Sequence, residues 1–328
     1  MKINGEEISK KIQIDYDKFL IDPLEDIETP TSLLKISNTD VFTRGNISCI
    51  SGAAKSRKTF LLTLLSAQFL EADEEHKVIY FDTEQAKFHA QKIMRRILHI
   101  LGWSMEKTNR LRVYYLRELN TNERCEIIQK IIREKPADLI FIDGVRDLVK
   151  DFNNPVESSD IVNLLMNLSS TTNSHICSVL HVNKGLGNTE LRGHVGTEIQ
   201  NKSETVLTVE KTDETISCVK VKYTRAVEFP DFYFQINKNG IPEFCNPEIL
   251  PKNTDKLFEL FYNILKNDTS LTYSMLKLKV IGEISCSERH AERKINKAIE
   301  NKIITKNYAD KYYLTQNDEK INEYELPY

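Results

Sequence analysis

The sequence predicts an α/β fold, a mostly parallel sheet covered by helices on both faces, followed by a small second module. Two observations carry this expectation. Short apolar runs rich in Ile, Val, Tyr and Phe alternate with stretches of helical periodicity between residues 46 and 182. A polar segment with two prolines, "NPEILPKN" at 246–253, then separates this alternation from a helix-rich remainder. The expected organisation is an N-terminal arm over 1–40, an α/β domain over 41–250 and a C-terminal module over 251–328.

The strand candidates are "NISCIS" (46–51), "KVIYFD" (77–82), "LRVYYL" (111–116), "ADLIFID" (137–143) and "HICSVLHV" (175–182). Each is a near-continuous apolar run, as strands buried on both faces are. Helices are expected over 58–71, 86–102, 122–134 and 158–169. In "CEIIQKII", Ile127, Ile128, Ile131 and Ile132 recur at helical spacing. "KGLGNTELRGHVGTE" (184–198) reads as a mobile glycine-rich loop. Two further strands, 204–211 and 217–225, precede a hairpin, "DFYFQINKNGIPEF", turning at Asn239–Gly240. Residues 1–40 are polar and acidic, with Pro23 and Pro30, and read as a lead-in.

Composition narrows the function classes. The formal net charge is -3, so any nucleic-acid contact needs a local basic face. No apolar run approaches the ~20 residues of a membrane span, and "MKINGEEISKKIQIDYDKF" has no apolar signal-peptide core. The six cysteines are widely spaced and have no metal-ligand pattern. A reduced cytoplasmic setting and no membrane partner are expected.

The first strand runs into "GAAKSRKTF", close to the phosphate-loop pattern G-x-x-x-x-G-K-[ST]. Gly52 opens it, and Lys58 and Thr59 close it. Arg57 stands where the pattern has its second glycine. Gly52, Ala53, Ala54, Lys55, Ser56, Arg57, Lys58, Thr59 and Phe60 would surround a phosphate at the N-terminus of the following helix. Lys58 would reach the terminal phosphates of ATP, and Thr59 would offer a hydroxyl to Mg²⁺. If the helix begins at Arg57, that residue can take ordinary helical dihedrals and glycine is not demanded. Lys55 and Arg57 either help hold phosphate or face solvent.

Two acidic strand ends lie downstream, in "YFDTEQ" and "IFIDG". Asp143 ends its strand as a magnesium-supporting aspartate does. Glu84 could accept a proton from an attacking water. Either alone could simply begin a loop; both in this order after a phosphate loop point to nucleotide hydrolysis.

With these residues the chain resembles the RecA-like ATPases over roughly 41–236. It is similar to the branch of plasmid RepA-type and DnaB-type hexameric helicases, and its loop resembles that of mobile-element ATPases of Bacteroides-type bacteria. The resemblance implies a homo-oligomer, such as a hexamer. It implies that His181, in "SVLHVNKG", senses the γ-phosphate, and that Lys184 and Arg192 lie on a DNA-facing loop. It also implies that Lys222 and Arg225, in "VKYTR", reach the neighbouring subunit's ATP, although their spacing differs by one residue from the helicase pattern.

In the C-terminal module, "DKLFELFYNILKND" is amphipathic, with Leu257, Phe258, Phe261, Ile264 and Leu265 on one stripe. A second helix, "TYSMLKLKVI", follows. "SCSERHAERKINKAIENKII" opens with Ser285 and Glu288 at capping-box spacing. Its apolar face is Ala291, Ile295, Ala298 and Ile299, and Arg289, Arg293, Asn296 and Lys297 lie opposite. Three helices and the hairpin "IITKNYADKYYL" resemble a winged-helix domain, with Arg289, Arg293 and Lys297 as DNA contacts on a recognition helix over 286–301. Glu288, Glu292 and Glu300 interrupt that face, so protein contact stays open.

The sequence therefore points to a DNA-dependent, helicase-like ATPase. Two alternatives stay open: an ATP-gated DNA-binding accessory factor with slow turnover, and a scaffold that has lost catalysis, to which Arg57 would be the clue.

Overall fold

The computed structural model describes residues 17–36, 38–106, 108–183, 190–245, 253–266, 270–307 and 310–315. The chain divides into two compact units, Met1–Phe244 and Cys245–Tyr328.

In the larger unit a short 3-10 turn at Asp17–Phe19 precedes a hairpin, β1 (Ser32–Ile36) and β2 (Thr39–Thr43), paired antiparallel. Part of this hairpin was expected to belong to the polar lead-in. Its Leu33, Leu34, Val41 and Phe42 are buried in the main core, so chain-level polarity over 1–40 hid a short buried alternation. Next come β3 (Ile47–Gly52), α1 (Lys58–Ala72), β4 (Val78–Asp82), α2 (Lys87–Ile100) and β5 (Leu111–Tyr115). They are followed by α3 (Thr121–Glu134), β6 (Leu139–Asp143), α4 (Pro155–Thr172), β7 (His175–His181) and α5 (Gly193–Lys202). The strands β8 (Thr205–Lys211), β9 (Ile216–Thr224), β10 (Phe232–Ile236) and β11 (Pro242–Cys245) complete the sheet.

The nine strands lie in the order β11-β10-β9-β8-β3-β7-β6-β4-β5. The six from β8 to β5 pair in parallel, and β9 and β10 continue antiparallel. The apolar runs are double-sided because both faces are covered. In β6, Leu139 and Phe141 join one core with α1 and α2, while Ile140 and Ile142 join a second core with α3, α4 and α5. Helix ends follow local chemistry. Asn120 and Glu123 make a reciprocal capping box on α3. Asn154 caps α4 ahead of Pro155, and left-handed Asn173 ends it. Residues 193–202, partly within the expected mobile loop, form α5 instead: Val195 and Ile199 are buried one helical turn apart, and the glycines around them masked that stripe.

Each parallel strand starts at one sealed edge of the sheet. There, His175 at the head of β7 is fully buried and stacks on Phe42 with ring centroids 4.5 Å apart. Its Nδ1–H donates to the Thr43 carbonyl at 2.8 Å, and Nε2 accepts from the Ser48 hydroxyl at 2.7 Å. Glu204 is 3.9 Å from Nδ1, yet it spends its oxygens on the Thr43 N–H and hydroxyl. Burial pushes His175 down to about 4, so the ring is neutral and the contact is no ion pair.

The smaller unit holds α6 (Asn253–Leu265), β12 (Leu271–Thr272), α7 (Tyr273–Ile284), α8 (Glu288–Glu300), β13 (Ile304–Lys306) and β14 (Lys311–Leu314). Its strands pair antiparallel in the order β12-β14-β13. Phe261, Leu276, Val280, Ala291, Ile295 and Ala298 centre a separate core. The expected capping box at Ser285 is absent. Ser285 ends α7 in a left-handed conformation (φ 48°), and α8 starts after Ser287, too late for Ser285 to cap it. Glu288 is drawn instead to Lys277, at 3.1 Å.

Among the described residues no helix is long and apolar enough to cross a membrane. All six cysteines are free.

Candidate functional site

The C-terminal ends of β3, β4, β6 and β7 deliver Gly52, Asp82, Asp143 and His181 to one side of the sheet. In register, Gly52 lies beside His181 and Asp82 beside Asp143. This is the crevice where ligands of open parallel sheets bind.

The loop between β3 and α1 is tightly built. Gly52 has φ 151°, and a Cβ there would fall 2.6 Å from both the Ser56 hydroxyl and the Val209 carbonyl, so only glycine fits. Lys55 and Arg57 are both left-handed, with φ 63° and 76°. The helical dihedrals expected for Arg57 are therefore corrected. The helix begins one residue later, at Lys58, and the position still demands the left-handed region that a glycine would fill without strain. An arginine there costs roughly 1–2 kcal/mol of backbone strain. Its side chain reaches the turn between β8 and β9. Its Nη1 donates to the Ile216 carbonyl at 2.8 Å and the Ser217 hydroxyl at 3.1 Å. Its Nη2 donates to the carbonyls of Asp213, at 3.3 Å, and Glu214.

Lys58 is buried. Its ammonium donates to the carbonyls of Gly52 at 3.0 Å and Ala53 at 2.9 Å, and lies 3.2 Å from His181 Nδ1. Burial lowers its pKa, while Asp143 and Glu84 oppose that shift and favour the charged form. With Lys58 donating to Nδ1, His181 turns its other ring nitrogen toward Glu84, whose Oε1 is 3.7 Å away. The His181 ring facing it holds the Glu84 carboxyl below the usual carboxylate range, so Glu84 is ionised at neutral pH.

Thr59 donates its hydroxyl to Asp143 Oδ2 at 3.0 Å. The same oxygen accepts from Tyr80 at 2.6 Å. Tyr80 is fully buried, and burial raises its pKa well above the ordinary value, so it stays a donor. No motif marks Tyr80 and Asp82 in the sequence. Strand alternation was the available signal, since 80 and 82 share a face of β4 with 143 of its neighbour β6. Asp82 is fully buried; its Oδ1 accepts from the N–H groups of Glu84 at 3.1 Å and Gln85 at 2.8 Å, fixing the turn that carries Glu84. Burial, with the neighbouring Asp143 adding to it, raises Asp82 to about 6.

These groups border a cavity of 510 Å³ lined by Lys55 to Phe60, Glu84, Asp143 and His181. Its opposite wall is α2, which contributes His89, Lys92 and Arg96 at helical spacing. The Arg96 guanidinium lies 4.3 Å from the centre of the Phe60 ring. Lys211, at the end of β8, adds a further cation. The α2 and β8 residues carry no sequence signal, because their motif-free segments reach the loop only through the sheet order.

The donor set fits a polyphosphate with Mg²⁺. Among the described residues no group of three or more His, Cys, Asp or Glu side chains could hold a metal by itself. Mg²⁺ is ordinarily held by one or two protein oxygens together with substrate phosphates, and Thr59 and Asp143 supply such a pair. The buried Ser56 hydroxyl, without a protein partner, adds a polar group within the loop.

Other expected site residues lie elsewhere. Lys222 sits 3.4 Å from Glu190, and Arg225 donates to the carbonyls of Asn201 and Lys202 at 3.3 and 3.4 Å; neither lines the cavity of its own chain. Arg192 precedes α5, with its guanidinium 4.7 Å from the centre of the Phe152 ring; Arg146 approaches the same ring at 5.0 Å. Lys184 lies outside the described residues. Arg289, Arg293 and Lys297 are exposed along one stripe of α8, opposite its buried Ala291, Ile295 and Ala298.

No protein-family model matches the chain, and no curated protein matches it in sequence.

Proposed function

We propose that the protein is a RecA-like P-loop ATPase that acts on DNA. The observation that carries this is the convergence of Lys58, Thr59, Glu84, Asp143 and His181 on one cavity at the C-terminal strand ends. Lys58 binds the β- and γ-phosphates. Glu84 takes a proton from water as the water oxygen attacks the γ-phosphorus and the bond to the β–γ bridging oxygen breaks. His181, between Lys58 and Glu84, registers whether the γ-phosphate is present. Mg²⁺, held by Thr59 and Asp143, would neutralise charge on the phosphate oxygens. In a homo-oligomer Lys222 and Arg225 would complete the next subunit's site.

DNA is the partner favoured by the exposed cationic stripe of α8 in a unit whose three helices and small sheet support a winged-helix reading. The acidic interruptions on α8 are partly absorbed, because Lys277 pairs with both Glu288 and Glu292, at 3.1 and 3.3 Å. Arg192 and Lys184 would form a second DNA contact.

Phosphate release measured with and without single-stranded DNA tests the reading. The expected result is DNA-stimulated hydrolysis that Lys58→Ala abolishes. Equal rates in the parent and Lys58→Ala would reject it. A parent that retains DNA only with ATP, and separates no strands, would make it a switch instead of a motor.

A further inference from the structure

Arg57 occupies a left-handed position that a glycine would take without strain, and its side chain goes to a turn about 160 residues away. That turn, between β8 and β9, is already rigid. Asp213 Oδ1 accepts from the N–H groups of Thr215 at 2.7 Å and Ile216 at 2.8 Å, and the Thr212 N–H donates back to the Ile216 carbonyl at 3.1 Å. The turn thereby presents the carbonyls of residues 213, 214 and 216 outward, and the planar guanidinium meets them with both terminal nitrogens. Lys211 stands immediately before the turn, opposite Ser217 in the ladder, and lines the cavity.

We infer that Arg57 is a positioning residue that latches the β8–β9 turn to the phosphate loop and so places Lys211 as a further phosphate-binding cation. The inference rests on the nucleotide reading above. It explains why an arginine stands in a glycine position: the loop accepts backbone strain, and in exchange a sheet edge distant in sequence becomes a wall of the site. A lysine cannot replace it, since one ammonium cannot span the two sets of acceptors that the fork bridges.

The test is equilibrium binding of a fluorescent non-hydrolysable ATP analogue with Mg²⁺ to the parent, Arg57→Gly, Arg57→Lys, Lys211→Ala and the Arg57→Gly/Lys211→Ala double variant. Arg57→Gly suits the left-handed backbone, so its folding is not threatened. Each single variant is expected to weaken binding about tenfold, and the double variant by no more than about the same tenfold, because both changes remove one interaction. Amide exchange at residues 213–217 is expected to quicken in Arg57→Gly and Arg57→Lys even without the analogue. Effects that multiply to about a hundredfold in the double variant, or an Arg57→Gly protein that binds as tightly as the parent, would overturn the latch while leaving the nucleotide reading intact. A parent that does not bind the analogue would remove the nucleotide reading itself, and the role of Lys211 with it.

Discussion

The strand β7 carries a histidine at each end, and the two have opposite fates. His175, at the N-terminal end, is fully buried, with both ring nitrogens satisfied by Ser48 and Thr43. His181, at the C-terminal end, has a side chain 37% exposed and stands between a lysine and a glutamate. The Ser48–His175–Glu204 grouping superficially suggests nucleophilic chemistry, yet Ser48 and His175 are sealed from any substrate. In a parallel sheet the chain packs down over the strand starts, while the strand ends open into a crevice. Residue type alone says little; position along the strand decides between packing and chemistry.

Changes at the open end should affect turnover far more than stability. Glu84→Gln removes the proposed base while leaving Lys58 and the loop in place. Hydrolysis is expected to fall by about 10²–10⁴ with analogue binding retained, measured by phosphate release alongside titration. An unchanged rate would remove Glu84 from the chemistry.

The sealed end should show itself in acid stability. The unfolded His175 protonates below its ordinary value of 6.5, whereas the folded ring resists down to about 4. Between those values only the unfolded chain takes up the proton, so stability falls as pH falls, by up to about 3 kcal/mol. Urea denaturation across this range checks it, and His175→Gln should flatten that slope.

Asp82 predicts the opposite sign. Its folded value of about 6 lies above the ordinary 3.8, so stability falls as pH rises between them and the loss persists at neutral pH. Asp82→Asn keeps an oxygen for the Glu84 and Gln85 amides and is expected to gain about 1–2 kcal/mol at pH 8, less what its unpaired amide costs. Equal stability of the two proteins at pH 8, with the same pH dependence below it, would place the charge burden elsewhere.

The smallest effect sharpens the contrast most. His181→Ala should leave the urea midpoint nearly unchanged, within about 0.5 kcal/mol, because the ring is partly exposed and outside the core. A large loss of stability would mean that His181 is a packing residue like His175.

Much of this arrangement was legible in the sequence. The strand runs, the glycine at 52 and the lysine–threonine pair placed the loop, Glu84 and Asp143 followed from strand ends, and His181 was singled out only by the resemblance to RecA-like ATPases. What stayed hidden depends on three-dimensional adjacency. Tyr80 reaches Asp143 only because β4 and β6 are neighbours, and that sheet order is written in no motif. Arg57 was visible as a departure from the loop pattern, but its target turn was not. The β1–β2 hairpin was lost in the averaged polarity of its surroundings, and α5 in a glycine-rich stretch.

The most direct test of the central claim is calorimetric titration of the protein with a non-hydrolysable ATP analogue and Mg²⁺, beside Lys58→Ala. The account predicts saturable binding by the parent, weakened at least about a hundredfold in the variant, since a buried charged donor to phosphate is lost. Equal affinity in the two proteins, or no binding by either, would contradict it.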